Sequence, residues 1–250
     1  MRRTLSLVAA TLLMGARTPA LAPINIYLIG DSTMADKPDP AHNPERGWGQ
    51  ALPEYVDRDT HVHNYAVNGR STKSFIDEGR WETVRAQLST GDIVLIQFGH
   101  NDEKQEDSLR YAAPRTAYRA NLERFVRDAR ERGATPIVFT PIVRRQFDAS
   151  GTLHNTHGEY PDVVRELART SGVALVDLNV LTQTLVQQRG VEGSKLLYVW
   201  TRADQFPSFP LARQDNTHLT PLGASAVARL AAQALKALDG PLATHIVGVP

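Results

Sequence analysis

Ile24-Asn25-Ile26-Tyr27-Leu28-Ile29-Gly30-Asp31-Ser32-Thr33 is an apolar, β-branched run that stops abruptly in Gly-Asp-Ser-Thr. A run of this kind reads as a strand buried on both faces, which is the habit of parallel sheets. Four more apolar stretches read as strands: His61 to Val67, Ile93 to Phe98, Thr135 to Thr140 and Val173 to Leu178. Between them the apolar residues take helical spacing, over Trp48 to Val56, Ser74 to Leu88, Pro114 to Arg132 with Gly133 as its stop, Pro161 to Thr170 and Asn179 to Gln188. A last helix, rich in Ala and Leu, runs from Pro221 to Leu238. Strands alternating with helices predict an α/β fold whose parallel sheet is covered on both faces. Ligands of such sheets gather beyond the carboxyl ends of the strands, and Ser32 falls at that edge. Residues 34–46 and 201–216 read as polar, proline-rich loops, and residues 239–250 as a frayed tail.

Met1 to Ala22 begins with Arg2 and Arg3, carries an apolar run from Leu5 to Met14 and ends in Ala20-Leu21-Ala22. That is the pattern of a secretory signal, with residues 23–250 as a single domain after cleavage. Pro23 directly after the cut could slow processing and leave an N-terminal anchor. The apolar run is about ten residues, half of the ~20 that span a bilayer, so no stable membrane insertion is expected. The expected address is secreted or periplasmic. The chain has 28 basic and 27 acidic residues, and three of the arginines fall in the leader, which leaves 25 against 27, or −2. This is not the footprint of a nucleic-acid binder. The absence of cysteine removes disulfides, thiolate nucleophiles and Cys-based metal sites together.

A serine hydroxyl attacks only when a base takes its proton, so Ser32 calls for a base, an acid that orients the base, and donors for an oxyanion. Asp215 and His218 are three residues apart, a spacing that lets the carboxylate hold the imidazole. Asn68-Gly69-Arg70-Ser71 follows the second strand and Gly99-His100-Asn101-Asp102 the third, so their side chains converge on the crevice beside Ser32. Read singly, each of these segments is equally a polar turn. Asp31 and Asp102 are expected to brace loops, and His100 to pack as a satisfied core histidine. His154 and His157 lack a third ligand at sensible spacing, so no metal is called for. His61 and His63 share a strand face, and Trp48, Trp81 and Trp200 are candidate sugar platforms against the alternative of buried packing.

These four blocks, spread from residue 30 to residue 218, resemble the SGNH (GDSL-type) hydrolases. Gly47-Trp-Gly-Gln50, Glu78-Gly-Arg80, Gln97-Phe-Gly-His-Asn-Asp102, Arg144-Arg145, His157-Gly158 and Asp215-Asn-Thr-His218 make the resemblance that of its rhamnogalacturonan acetylesterase branch. The resemblance implies a three-layer α/β/α, flavodoxin-like fold around a five-stranded parallel sheet. It implies deacetylation of plant-pectin backbone sugars by a serine acyl-enzyme, without cofactor. Carried over position by position, Ser32 is the nucleophile, His218 the base and Asp215 its orienting acid, with the oxyanion held by the N–H groups of Ser32 and Gly69 and the amide of Asn101. The rate is expected to rise as His218 loses its proton. The partner is then an acetylated plant cell-wall polysaccharide or oligosaccharide, and Arg70, Arg144, Arg145 and Arg202 are candidates for gripping a uronate carboxylate. Acetylxylan, a broad range of small esters, and a non-catalytic glycan-binding module are the competing readings.

Overall fold

The first strand, β1 (Ile24–Gly30), is buried along almost its whole length because the sheet is covered on both faces. The computed structural model describes residues 23–207 and 209–250, so the signal expected at Met1 to Ala22 lies outside the described residues. Short helix α1 (Trp48–Ala51), β2 (Thr60–Asn64), α2 (Thr72–Asp77), α3 (Arg80–Arg85) and β3 (Ile93–Gln97) follow. Then come α4 (Arg119–Glu131), β4 (Thr135–Phe139), α5 (Tyr160–Ser171), β5 (Ala174–Val176) and α6 (Leu178–Gly193). The chain closes with β6 (Tyr198–Thr201), β7 (Arg213–Leu219) and α7 (Pro221–Lys236).

Five strands form one parallel sheet in the order β2-β1-β3-β4-β5, in register from Ile26 opposite Ile93 to Gly30 opposite Gln97. Alternation along β1 and β3 splits the core in two. Ile26, Leu28 and Leu95 join Trp48, Leu178, Val227 and Leu235 on the side of α1, α6 and α7. Tyr27, Ile29, Val94 and Ile96 join Phe75, Trp81, Phe125 and Leu167 on the side of α2 to α5. The fold is therefore the three-layer α/β/α expected. Since β1 has β2 on one side and β3 on the other, the strand order reverses at β1, and a crevice opens there beyond the strand ends.

Local chemistry sets the boundaries. Ser71 and Ser74 form a reciprocal capping box at the start of α2, Asp177 caps α6 through Val180 N–H, and Thr220 caps α7 through Gly223 N–H ahead of Pro221. The helix expected from Ser74 to Leu88 is two, broken at Gly79, whose φ of +70° is left-handed. Pro114 to Tyr118 makes a π-helical turn before α4 begins.

Two expectations need correction. The polar stretch 201–216 is not all loop, because β6 and β7 pair antiparallel as a separate two-stranded ribbon. Arg213-Gln-Asp-Asn-Thr-His-Leu has one apolar residue, so backbone pairing makes it a strand where no hydrophobic alternation announces one. The tail is not frayed either. Leu242, Ile246 and Val249 are buried, Ile246 bridges Val56, and His245 Nδ1 lies 3.0 Å from Asp57 Oδ2.

Candidate active site

Gly30 ends β1 because nothing larger fits: a Cβ there would lie 2.7 Å from the Gln97 carbonyl oxygen. The next residue, Asp31, is fully buried and turns the chain by accepting hydrogen bonds from Thr33 N–H (2.9 Å) and Thr33 Oγ1 (2.8 Å). Ser32 is thereby held at the sheet edge. Its backbone carbonyl accepts a 2.7 Å hydrogen bond from Lys37 Nζ, and the same ammonium reaches Asn68 Oδ1 and lies 3.8 Å from Glu45. Lys37 thus ties the turn after β1 to the turn after β2. Burial pushes its pKa down from 10.5, against the pull of Glu45, Asp31 and Asp215.

The β6–β7 ribbon brings Asp215 and His218 across the crevice. His218 Nε2 is 3.0 Å from Ser32 Oγ, and its Nδ1 is 2.7 Å from Asp215 Oδ2. Asp215 Oδ1 accepts the backbone N–H groups of Thr217 (2.8 Å) and His218 (2.9 Å), so the acid fixes its own turn as well as the imidazole. Burial alone would raise the Asp215 carboxyl; His218 and these two N–H donors outweigh it and hold the pKa at about 2. Asp215 is an anion at any working pH.

Gly69, in the same cleft, takes φ +76°, and a Cβ there would meet only Arg110 Nη1, at an ordinary 3.9 Å, so its backbone conformation rather than crowding calls for glycine. The N–H groups of Ser32 and Gly69 donate to no acceptor among the described residues. Asn101 Nδ2 spends one proton on the Arg70 carbonyl at 3.1 Å, which fixes the amide plane and leaves the other proton free. Its Oδ1 faces Arg110 Nη1 at 3.4 Å. Three donors and a base-activated hydroxyl in one crevice can carry out acyl transfer.

Beneath this layer lies a buried polar group. Asp102 accepts from Thr72 N–H at 2.9 Å and from its hydroxyl, bracing the loop after β3 to α2, as Asp31 braces the loop after β1. Desolvation pushes the Asp102 carboxyl up to about 8, against the Thr72 hydrogen bonds. His100 is in the core but is not satisfied: neither ring nitrogen has a hydrogen-bond partner, and Nδ1 sits 3.4 Å from Asp31 Oδ2, which is equally unpartnered. Burial pushes the imidazole down to about 4, so it stays neutral. Burial would raise Asp31, yet His100 and the Thr33 donors hold it at about 2.

The four arginines expected at the substrate separate. Arg144 lines the cleft, paired with Glu103. Arg70 turns away to Glu78 at 3.0 Å. Arg145 is buried on Ser194, Asn216 and the Val191 carbonyl, so its guanidinium is structural. Arg202 is exposed on the ribbon's loop, outside the cleft. The cleft, of about 540 Å³, is instead lined by Lys104 and Arg110 on one side and Glu45 on the other. No periodicity in the sequence marks these loop residues. Trp48 and Trp81 are fully buried, and Trp200 packs under Arg145 and Lys195, so none offers a platform in the cleft.

Neither histidine of the pair His154 and His157 faces the other's partners. His154 Nε2 lies 3.5 Å from Asp148, whereas His157 is buried with Nδ1 on Glu103 and Nε2 on the Ile142 carbonyl. Glu45, Asp215 and His218 offer ligand atoms within 4.8 Å of one another. Those oxygens already meet cations, Arg213 at 2.7 Å from Glu45 and 3.3 Å from Asp215, so the donor set is matched without an ion.

The model of the GDSL-like lipase/acylhydrolase family matches residues 28–226, from the end of β1 through the turns of Gly69 and Asn101 and the ribbon into α7. The chain belongs to that family. The hydrolase is 40% identical to the rhamnogalacturonan acetylesterase RhgT of Bacillus subtilis over 225 residues, 90% of this chain and 95% of the relative. It is 27% identical to the rhamnogalacturonan acetylesterase of Emericella nidulans, over 84% of each chain. Among solved structures it resembles YxiM of Bacillus subtilis, with a TM-score of 0.72 and 29% identity over 86% of this chain and 57% of that one. An acetylxylan esterase of Geobacillus stearothermophilus shares the fold at TM-score 0.60 and 17% identity, over 87% of this chain and 96% of that one. The hydrolase is a carboxylic ester hydrolase of the rhamnogalacturonan acetylesterase-like branch. No helix among its described residues is long and apolar enough to cross a membrane.

Proposed function

We propose that this hydrolase removes acetyl groups from pectic rhamnogalacturonan through a serine acyl-enzyme. The observation that supports this most is the unbroken relay from Asp215 through His218 to Ser32 Oγ, facing three free donors. His218 Nε2 takes the hydroxyl proton as Oγ attacks the acetyl carbonyl. The negative charge that develops on the carbonyl oxygen meets the N–H groups of Ser32 and Gly69 and Nδ2 of Asn101. When the tetrahedral adduct collapses, the sugar oxygen leaves with the proton from His218. Water, losing its proton to His218, then attacks acetyl-Ser32 and acetate departs. Asp215 stays ionised throughout and stabilises the imidazolium. The pectic polymer is supported by the names of the relatives, whereas the likeness to an acetylxylan esterase supports a shared fold.

The test is acetate release from acetylated rhamnogalacturonan and from acetylxylan, side by side, with Ser32→Ala and a chelator as controls. Release chiefly from the pectic polymer, lost in Ser32→Ala and insensitive to chelation, is expected. Equal release from xylan would keep the mechanism and overturn the substrate. Activity surviving in Ser32→Ala would overturn the mechanism. The reading includes export, with Met1 to Ala22 as the leader and residues 23–250 as the working domain in the periplasm or medium. N-terminal sequencing of the exported protein should begin at Pro23.

A further inference from the structure

The cleft around Ser32 has two walls of unlike charge. On the ribbon side Glu45, Asp215 and His218 stand before Lys37 and Arg213, and every carboxylate there has a cation within 4.0 Å. The facing wall, built by the loop after β3 and the turn after β4, carries Lys104, Arg110 and Arg144. Arg144 pairs with Glu103, and Arg110 pairs with Asp107 at 2.5 Å. Lys104 has no carboxylate partner among the described residues. It is half-buried, and burial together with the fields of Arg110 and Arg144 disfavours its charge more than Asp107 and Glu103 restore it. An ammonium kept in a positive field beside a substrate cleft lacks a counter-anion that the fold could have supplied. Arg110 also touches the Oδ1 of Asn101, so this positive corner adjoins the oxyanion donors.

We propose that Lys104, seconded by Arg110, forms a carboxylate subsite that receives a uronate group of the sugar chain next to the acetylated residue. This rests on the reading of the hydrolase as a deacetylase of a pectic polymer and names the part of the cleft that would distinguish such a polymer from a neutral one. A carboxylate there completes the charge balance of the wall, and its grip weakens with salt because the corner opens to solvent.

The test uses inhibition of 4-nitrophenyl acetate hydrolysis by oligogalacturonate without acetyl groups, against its fully methyl-esterified form as the uncharged control. In the native enzyme the acid form should inhibit at roughly fivefold lower concentration, the scale of one exposed ion pair. That ratio should fall to about one in Lys104→Met, persist in Lys104→Arg, and decline in the native enzyme as salt rises. Equal inhibition by the two forms in the native enzyme, or a ratio undiminished in Lys104→Met, would overturn the subsite. The readout needs no turnover of the polymer. A native enzyme that discriminates the two oligomers yet releases no acetate from rhamnogalacturonan would therefore overturn the pectic reading and leave the subsite standing.

Discussion

At Asp215 one carboxylate has two tasks, and substitution separates them. Its Oδ2 holds the His218 ring while its Oδ1 accepts two backbone N–H groups. Asp215→Asn keeps an acceptor for the turn but removes the charge that stabilises the imidazolium. Turnover should drop by a factor on the order of 10²–10⁴ with the fold intact, checked by steady-state hydrolysis beside circular dichroism. Asp102 has the opposite electrostatics. Its folded pKa, raised to about 8 by burial, lies above the ~3.9 of an unfolded aspartate. A carboxyl raised in this way contributes stability that is complete below about pH 4 and is lost as the pH climbs through about 8. The native melting temperature should therefore fall between pH 6 and pH 9 more steeply than that of Asp102→Asn; identical slopes by calorimetry would refute the assignment. The structure brings Ser32, Gly69, Asn101, Asp215 and His218 into one cleft, and the sequence singled them out through four polar turns that read singly are unremarkable and together carry the family resemblance. Lys37, Lys104 and Arg110 were not singled out. Their heads act far from their α-carbons, at points set by loops without periodicity.

The elements divide along the same line. Strands β1, β3 and β4 are dictated by runs of buried apolar residues and sit within a residue or two of where those runs place them, whereas the helices keep the order but not the bounds, with Ser74–Leu88 broken in two and α6 running on to Gly193. Strand β7 depends on its partner β6 and escapes such reading, although it carries both Asp215 and His218. The C-terminal segment escaped for another reason: its apolar residues Leu242, Ile246 and Val249 are too few and too irregularly spaced to register as an element. They nonetheless seal the end of the sheet. Val247 N–H donates to the Tyr55 carbonyl and Asp57 N–H to the His245 carbonyl, both at 2.9 Å. Removing residues 240–250 should cost several kcal/mol, given about 1.5–3 kcal/mol for each large apolar side chain that loses its burial. Urea denaturation of the truncated chain measures this directly, and an unchanged midpoint would mean the segment is dispensable.

Across the whole molecule, the site is assembled from two distant lengths of chain. Ser32, Gly69 and Asn101 lie before residue 102, and Asp215 and His218 lie after residue 214, on a ribbon joined through the exposed residues Ala203, Asp204, Gln205 and Leu211. The later length carries its own means of docking, since Ala224, Val227, Ala228, Ala231 and Leu235 of α7 are buried in the core against α1. A chain interrupted between Arg202 and Arg213 yields one fragment with Ser32 but no His218 and another with His218 but no Ser32. Each fragment alone should be inert, and mixing should restore ester hydrolysis in proportion to their association; silence on mixing at every concentration would mean that the connection itself is needed. Restored activity would make the interrupted hydrolase a complementation reporter, in which any two proteins that bring the fragments together are read out as released acetate.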